Sequence, residues 1–248
     1  MKIAFIGDSL TAGKPGVGYF DIVRKKLAGH ELINMGRGGD SVISLTHRVR
    51  KSGLPGGVDI AVLEVGINDV FIHVSGTFLL FRKLMRQPWA KDLSEFECAY
   101  KKIMEYLCPR VKMLIIIPPL FLGEDPESRW TQEVDELARA IKKIAAAFEN
   151  AIYLDARSIF LKLLKSMPSS GYIANSVFRV SADAAFLKSV PGIDRKSKGR
   201  GLHFTLDGIH LNSAGAGILA GCLVDMLRKV MPECLSDLGN EPENEDQG

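Results

Sequence analysis

Short apolar runs rich in β-branched residues recur along the chain at 2–6 (KIAFI), 59–65 (DIAVLEV), 111–117 (VKMLIII) and 151–154 (AIYL), with a weaker one at 31–33. They are nearly continuous rather than alternating, which is the pattern of strands covered on both faces. Between them the period changes. Over 131–149, Val134, Leu137, Ala138, Ile141, Ile144, Ala145 and Phe148 keep the spacing of one helix face. A second helical pattern runs through 94–107, where Ser94 followed by Glu97 reads as a capping box. Strands alternating with amphipathic helices predict the α/β class, here a three-layer α/β/α sandwich around a central parallel five-stranded sheet.

Such sheets bind ligands beyond the carboxyl ends of their strands, near a topological switch point. The Gly7-Asp8-Ser9 turn follows the first run, Gly66-Ile67-Asn68-Asp69 follows 59–65, and Pro118-Pro119 follows 111–117. All three turns are expected on one edge, with Asp8, Leu10, Phe71 and Pro118 as candidates for substrate contact. Two connections exceed what a minimal sandwich needs. Residues 70–92 are rich in Phe, Leu, Met and Trp, and 156–205 hold an amphipathic run (SIFLKLLK) and the basic stretch DRKSKGRG. Both are candidate lids or pocket walls; alternatively Phe78, Leu79, Leu80 and Phe81 pack on the core.

At 248 residues and 46% apolar composition, the chain can bury one substantial core. The expected organisation is one domain over 1–234, with insertions near 70–92 and 156–205, and a solvated acidic tail over 235–248. The net charge of +3 includes five tail carboxylates, Asp237, Glu241, Glu243, Glu245 and Asp246, so the body is more basic, near +8. That balance suits an anionic substrate or weak contact with a membrane surface, and scattered solvated lysines explain it equally. Cys98, Cys108, Cys222 and Cys234 form no CxxC pair and read as reduced thiols. The first apolar run is interrupted too soon, by Gly7 and Asp8, for a signal peptide, and no run is long enough to span a bilayer. A soluble, cytoplasmic protein is expected. The 194–201 basic run lacks interleaved aromatics, so no nucleic-acid partner is expected; oligomeric state is left open.

A serine hydroxyl becomes a useful nucleophile only with a base in reach and a group to orient that base. In TLDGIHLNSAGAG, Asp207 and His210 stand three apart around Gly208, just before Asn212-Ser213, a helix-cap signal. Across so short a turn the carboxylate can reach the near ring nitrogen of the histidine and leave the far one free. Acyl transfer also needs donors for the developing oxyanion. The glycines of INMGRGGDS at 33–41, the Asn68 amide and the N–H of Ser9 can supply them. His203 is placed near Asp207 in sequence but reads as a surface or core residue, and His30, His47 and His73 as bystanders.

Gly-Asp-Ser-Leu near the start, Gly-Gly-Asp after the second strand, Gly-x-Asn-Asp after the third and Asp-x-x-His near the C-terminus together resemble the GDSL, or SGNH, hydrolases. The resemblance runs from residue 3 to about 230. It implies a flavodoxin-like sandwich that hydrolyses carboxylic esters or thioesters of small molecules without metal or cofactor. By position it makes Ser9 similar to the nucleophile, His210 to the base and Asp207 to the orienting acid, with Ser9, Gly39 and Asn68 as oxyanion donors. Gly38 stands beside Gly39 as an alternative. No G-x-S-x-G, phosphate-loop or H-E-x-x-H pattern appears. The competing class is a non-catalytic module whose strand-end turns hold a phosphate-bearing or flavin ligand; such a module has no need of the Asp207/His210 pair.

Overall fold

Residues 1–236 are described by the structure, a computed structural model. In chain order, β1 (Lys2–Gly7) leads into the single turn α1 (Ser9–Ala12), followed by α2 (Tyr19–Lys26), β2 (Glu31–Gly36) and α3 (Val42–Ser52). Then come β3 (Ile60–Glu64), α4 (Ile67–Val74), α5 (Gly76–Leu84), α6 (Leu93–Leu107) and β4 (Met113–Ile117). The remainder is α7 (Arg129–Ala145), β5 (Ala151–Tyr153), α8 (Ala156–Leu164), α9 (Val177–Phe186), α10 (Val190–Gly199) and α11 (Ser213–Ser236). The expected acidic tail falls on 235–248; its first two residues close α11 and the rest lies outside the described residues.

The five strands form one parallel sheet in the order β2-β1-β3-β4-β5. The continuous apolar runs have the cause anticipated for them, since both sheet faces are covered. Ile3 and Phe5 of β1, Val62 of β3 and Ile115 of β4 pack against α2, α8 and α11. Their neighbours Ala4, Ile6, Leu63 and Ile116 pack against α3 and α6 on the other face, with Ile141 of α7. The alternation of strand side chains thus sends successive residues into two separate cores. Between β1 and β3 the winding reverses direction, so the chain leaving β1 emerges at the switch point. Ser9 lies there.

Two helix boundaries differ from the sequence pattern. The cap of α6 is Asp92 rather than Ser94: its carboxylate accepts the Glu95 N–H at 2.8 Å, and the Glu95 carboxylate reaches back to the Lys91 N–H at 3.0 Å. Aspartate caps as well as serine does, and it stands earlier. Helix α7 spans Arg129–Ala145 instead of 131–149, because Ser128 caps it at Thr131 and tight three-residue turns at Ala147 and Phe148 close it. Phe148 still packs on the core from outside the helix.

A third apolar cluster sits beyond the strand ends. It joins Ile67, Val70, Phe71 and Phe78 to Leu122, Val134 and Ile209. The 70–92 segment therefore divides: Phe78 is buried, Leu79 is partly buried, and Leu80 and Phe81 stand exposed.

Candidate active site

The one-turn helix α1 places Ser9 against the ends of β1 and β2, and two glycines make that approach possible. A Cβ on Gly7 would lie 2.1 Å from Thr11 Oγ1, and one on Gly36 would lie 2.3 Å from the Ala12 nitrogen. No larger residue fits under this turn without moving it. Asp8 caps α1 by accepting the Leu10 N–H at 3.0 Å. The serine therefore leaves the sheet on a short, tightly seated turn.

Opposite it, the turn Asp207-Gly208-Ile209-His210 is held by its own carboxylate. Asp207 Oδ1 accepts the N–H groups of Ile209 and His210 at 3.0 and 2.8 Å, and Oδ2 lies 2.7 Å from His210 Nδ1. Gly208 has φ +91°, and a Cβ there would lie 2.9 Å from the Tyr172 carbonyl oxygen, so the position calls for glycine. With Nδ1–H donated to Asp207, Nε2 is the ring nitrogen that faces Ser9 Oγ, at 2.9 Å. Burial acts to raise the Asp207 carboxyl, but the His210 charge and hydrogen bonds outweigh it and hold the carboxyl below its ordinary value. For His210, burial acts to lower the imidazole, and the Asp207 carboxylate more than reverses this, leaving it above 6.5. The arrangement is a polarised line from carboxylate to imidazole to hydroxyl, able to draw a proton from Ser9 and to hold it as an imidazolium.

A cavity of about 270 Å³ opens over this line. Ser9, His210, Gly38, Gly39 and Asn68, with Lys14 and Ser181, form its polar side, while Phe71, Phe78, Phe81, Val177, Val180 and Ile209 stand among its apolar walls. Two larger cavities, about 760 and 940 Å³, lie against α10 and include neither Ser9 nor His210. Asn68 donates through Nδ2 to Asp8 Oδ2 at 3.1 Å and to the Asp40 carbonyl at 3.0 Å, so both amide hydrogens are engaged before any ligand arrives.

Of the residues singled out in the sequence, Ser9, His210, Gly39, Asn68 and Phe71 meet around this cavity, with Gly38 beside them, and Asp207 is buried behind His210. Asp8, Leu10 and Pro118 do not reach it. Leu10 follows Ser9 in a helical turn, so its side chain is rotated by about 100° and enters the core with Tyr19 and Phe20. Asp8 is buried beneath the site, and Pro118 is buried after β4. His203 is also elsewhere, its Nε2 2.9 Å from the Pro168 carbonyl.

Three supporting residues went unnoticed in the sequence. Glu64, the last residue of β3, is fully buried beside Asp8 and accepts from Thr11 Oγ1 at 3.2 Å. Burial, then the Glu64 charge, pushes Asp8 well above the carboxylate range, and burial raises Glu64 to about 7. Glu64 Oε1 has no hydrogen-bond partner in the structure. A carboxylate in the run IAVLE was a visible signal. Glu124 is buried and accepts the N–H groups of His203, Phe204 and Thr205 at 2.6 to 2.9 Å, fixing the approach to Asp207. Arg82 of α5 donates to the Gly39 carbonyl at 2.5 Å and to Ser41 Oγ at 3.1 Å, tying the 70–92 segment to the glycine loop. Neither Glu124 nor Arg82 stands out among its charged neighbours in sequence.

The sequence model of the GDSL-like lipase/acylhydrolase family matches residues 5–218. An acetylxylan esterase of Geobacillus stearothermophilus is 24% identical over 184 residues, which are 67% of this chain and 80% of the relative. A crystal structure of an acetylxylan esterase from the same organism superposes with a TM-score of 0.64 at 23% identity, covering 93% of this chain and 94% of the other. An α/β hydrolase from the metagenome of Lake Arreo, Spain, superposes with a TM-score of 0.63 at 19% identity, covering 90% and 93%.

Proposed function

The chain belongs to the GDSL-like lipase/acylhydrolase family, and from that premise we propose that it hydrolyses carboxylic esters or thioesters through an acyl-enzyme on Ser9. The observation that carries the proposal is the unbroken line from Asp207 Oδ2 to His210 Nδ1 at 2.7 Å and from His210 Nε2 to Ser9 Oγ at 2.9 Å, at the floor of a cavity.

Ser9 Oγ attacks the acyl carbon while Nε2 of His210 takes the hydroxyl proton, and Asp207 stabilises the imidazolium. The carbonyl oxygen becomes an oxyanion facing the N–H groups of Ser9 and Gly39, with Gly38 in the same wall, and the Asn68 amide. Asn68 donates to it by sharing or releasing its bond to the Asp40 carbonyl. The leaving alcohol or thiol takes the proton from His210. Water then enters, gives its proton to His210 and attacks the acyl carbon, and Ser9 regains its hydrogen from the imidazolium as the acid departs.

The phenylalanine-rich side of the cavity favours an acyl chain longer than acetyl. Each methylene buried there contributes about 0.8 kcal/mol, roughly fourfold. Across p-nitrophenyl esters of increasing length, kcat/KM is expected to rise from acetyl to a medium chain and then fall as the cavity fills. An optimum at acetyl would remove the apolar wall as a specificity element and favour the second reading, removal of carbohydrate-borne acetyl groups, which the relatedness to an acetylxylan esterase supports.

A further inference from the structure

The rim of the same cavity carries a second pattern that ester hydrolysis alone does not require. Helices α5 and α9 stand side by side over Ser9, joined by a hydrogen bond from the Val177 N–H to Thr77 Oγ1 at 3.0 Å. Their inner faces contribute Phe78, Phe81, Val177 and Val180 to the cavity. Their outer faces are also apolar: Leu80 is 67% exposed, Leu84 78%, Phe178 75% and Phe186 84%. Of the nine large hydrophobic side chains standing exposed among the described residues, seven lie in two stretches, 80–85 and 178–190, in or just after α5 and α9, and Phe81 among them lines the cavity. Scattered exposed leucines are ordinary in a folded protein, whereas apolar side chains gathered at the mouth of an acyl cavity mark a contact surface.

Charge indicates what that surface contacts. Over 76–90 and 175–190 the exposed charges are Lys83, Arg86, Arg179 and Lys188, all cationic. The carboxylate in these stretches, Asp183, is buried and paired with Arg200 at 2.7 Å. Arg195, Lys196 and Lys198 add exposed positive charge on α10. Two apolar stretches whose exposed charges are all cationic, with their acid buried, match the boundary of an anionic lipid layer: apolar tips enter the acyl region while basic residues meet phosphate headgroups. No helix among the described residues is long and apolar enough to cross a membrane, so the contact is peripheral.

We infer that the α5–α9 rim docks this protein on anionic lipid surfaces and feeds lipid-borne acyl esters to Ser9. The feeding step rests on the Ser9 reading; the docking step does not, and it is measured without turnover.

The test is flotation of the intact chain with vesicles of phosphatidylcholine alone and of phosphatidylcholine mixed equally with phosphatidylglycerol, at low and high salt. The wild type is expected to float with the anionic vesicles at low salt and to bind neutral ones at least about tenfold more weakly, since each basic residue at such a surface is worth roughly fivefold. Leu84→Ser/Phe186→Ser and Lys83→Glu/Lys188→Glu should each lose at least about tenfold in anionic-vesicle binding. These residues do not line the Ser9 cavity, so turnover of a short soluble ester should remain at the wild-type level and certify the fold. Equal binding to both vesicle types, no binding to either, or binding indifferent to both double variants would overturn the proposal. So would sedimentation showing a dimer abolished by Leu84→Ser/Phe186→Ser without vesicle binding, which assigns the patch to a second copy of the chain. Fluorophosphonate labelling of Ser9 with no vesicle binding refutes docking alone; binding with an unreactive Ser9 refutes the catalytic reading alone.

Discussion

Replacing Ser9 by alanine is expected to lower kcat for a short p-nitrophenyl ester by roughly ten-thousand- to million-fold while leaving the fold intact. The size of the loss follows from what the hydroxyl does: without Oγ no acyl-enzyme forms, and only the oxyanion donors and the cavity remain to assist direct attack by water. The fold should tolerate the change because Ser9 Oγ makes its hydrogen bond to His210 Nε2, across the site rather than to the structure that seats α1. That seating depends on Gly7, Gly36 and the Asp8 cap, which the substitution leaves in place. The check is steady-state kinetics beside a thermal melt. Activity within tenfold of wild type in a protein with an unchanged melt would remove Ser9 from the chemistry.

The second large effect is expected from Asp207→Asn, about ten-thousand-fold in kcat near neutral pH, and it carries a pH signature. The base must be neutral to accept the Ser9 proton, so activity falls as pH drops through the His210 pKa. Burial acts to lower that pKa, and the Asp207 carboxylate reverses the effect, so the acid limb of kcat/KM for the wild type should lie above 6.5. Removing the negative charge takes away the largest influence that opposes burial, and the limb should move to lower pH even as the rate collapses. The collapse has a separate cause: an asparagine can offer an N–H to Nδ1 and leave the hydrogen on Nε2, where the ring can no longer accept from Ser9. A pH–rate profile of both proteins separates the two effects. A limb that stays in place would show that Asp207 does not set the protonation of His210.

Much of this was legible in the chain because the determining interactions are local or periodic. The runs at 2–6, 59–65 and 111–117 are uninterrupted because helices cover both sheet faces, and the sequence carries that directly. Asp207 and His210 are joined within one turn, so their spacing alone suggested the contact. The Ser9–His210 contact spans 201 residues and followed only from the order of the motifs on an assumed sheet. What escaped notice depends on long-range burial. Glu124 grips His203, Phe204 and Thr205 from the far side of the 156–205 segment, and Arg82 points inward from a helix whose neighbouring cation, Lys83, points out. Asp8 and Leu10 lie outside the cavity although they flank Ser9: the Asp8 carboxylate turns back to cap α1 and to accept from Asn68, and the Leu10 side chain is rotated into the core.

The most direct measurement is labelling of the folded wild type with a fluorophosphonate, followed by peptide mapping, with His210→Ala alongside. The expected result is a single adduct on Ser9 in the wild type and almost none in His210→Ala, because the probe reports a serine activated by its neighbouring base. An adduct on another serine, or equal labelling of Ser9 with and without His210, would contradict the assignment of Ser9 and His210 as nucleophile and base.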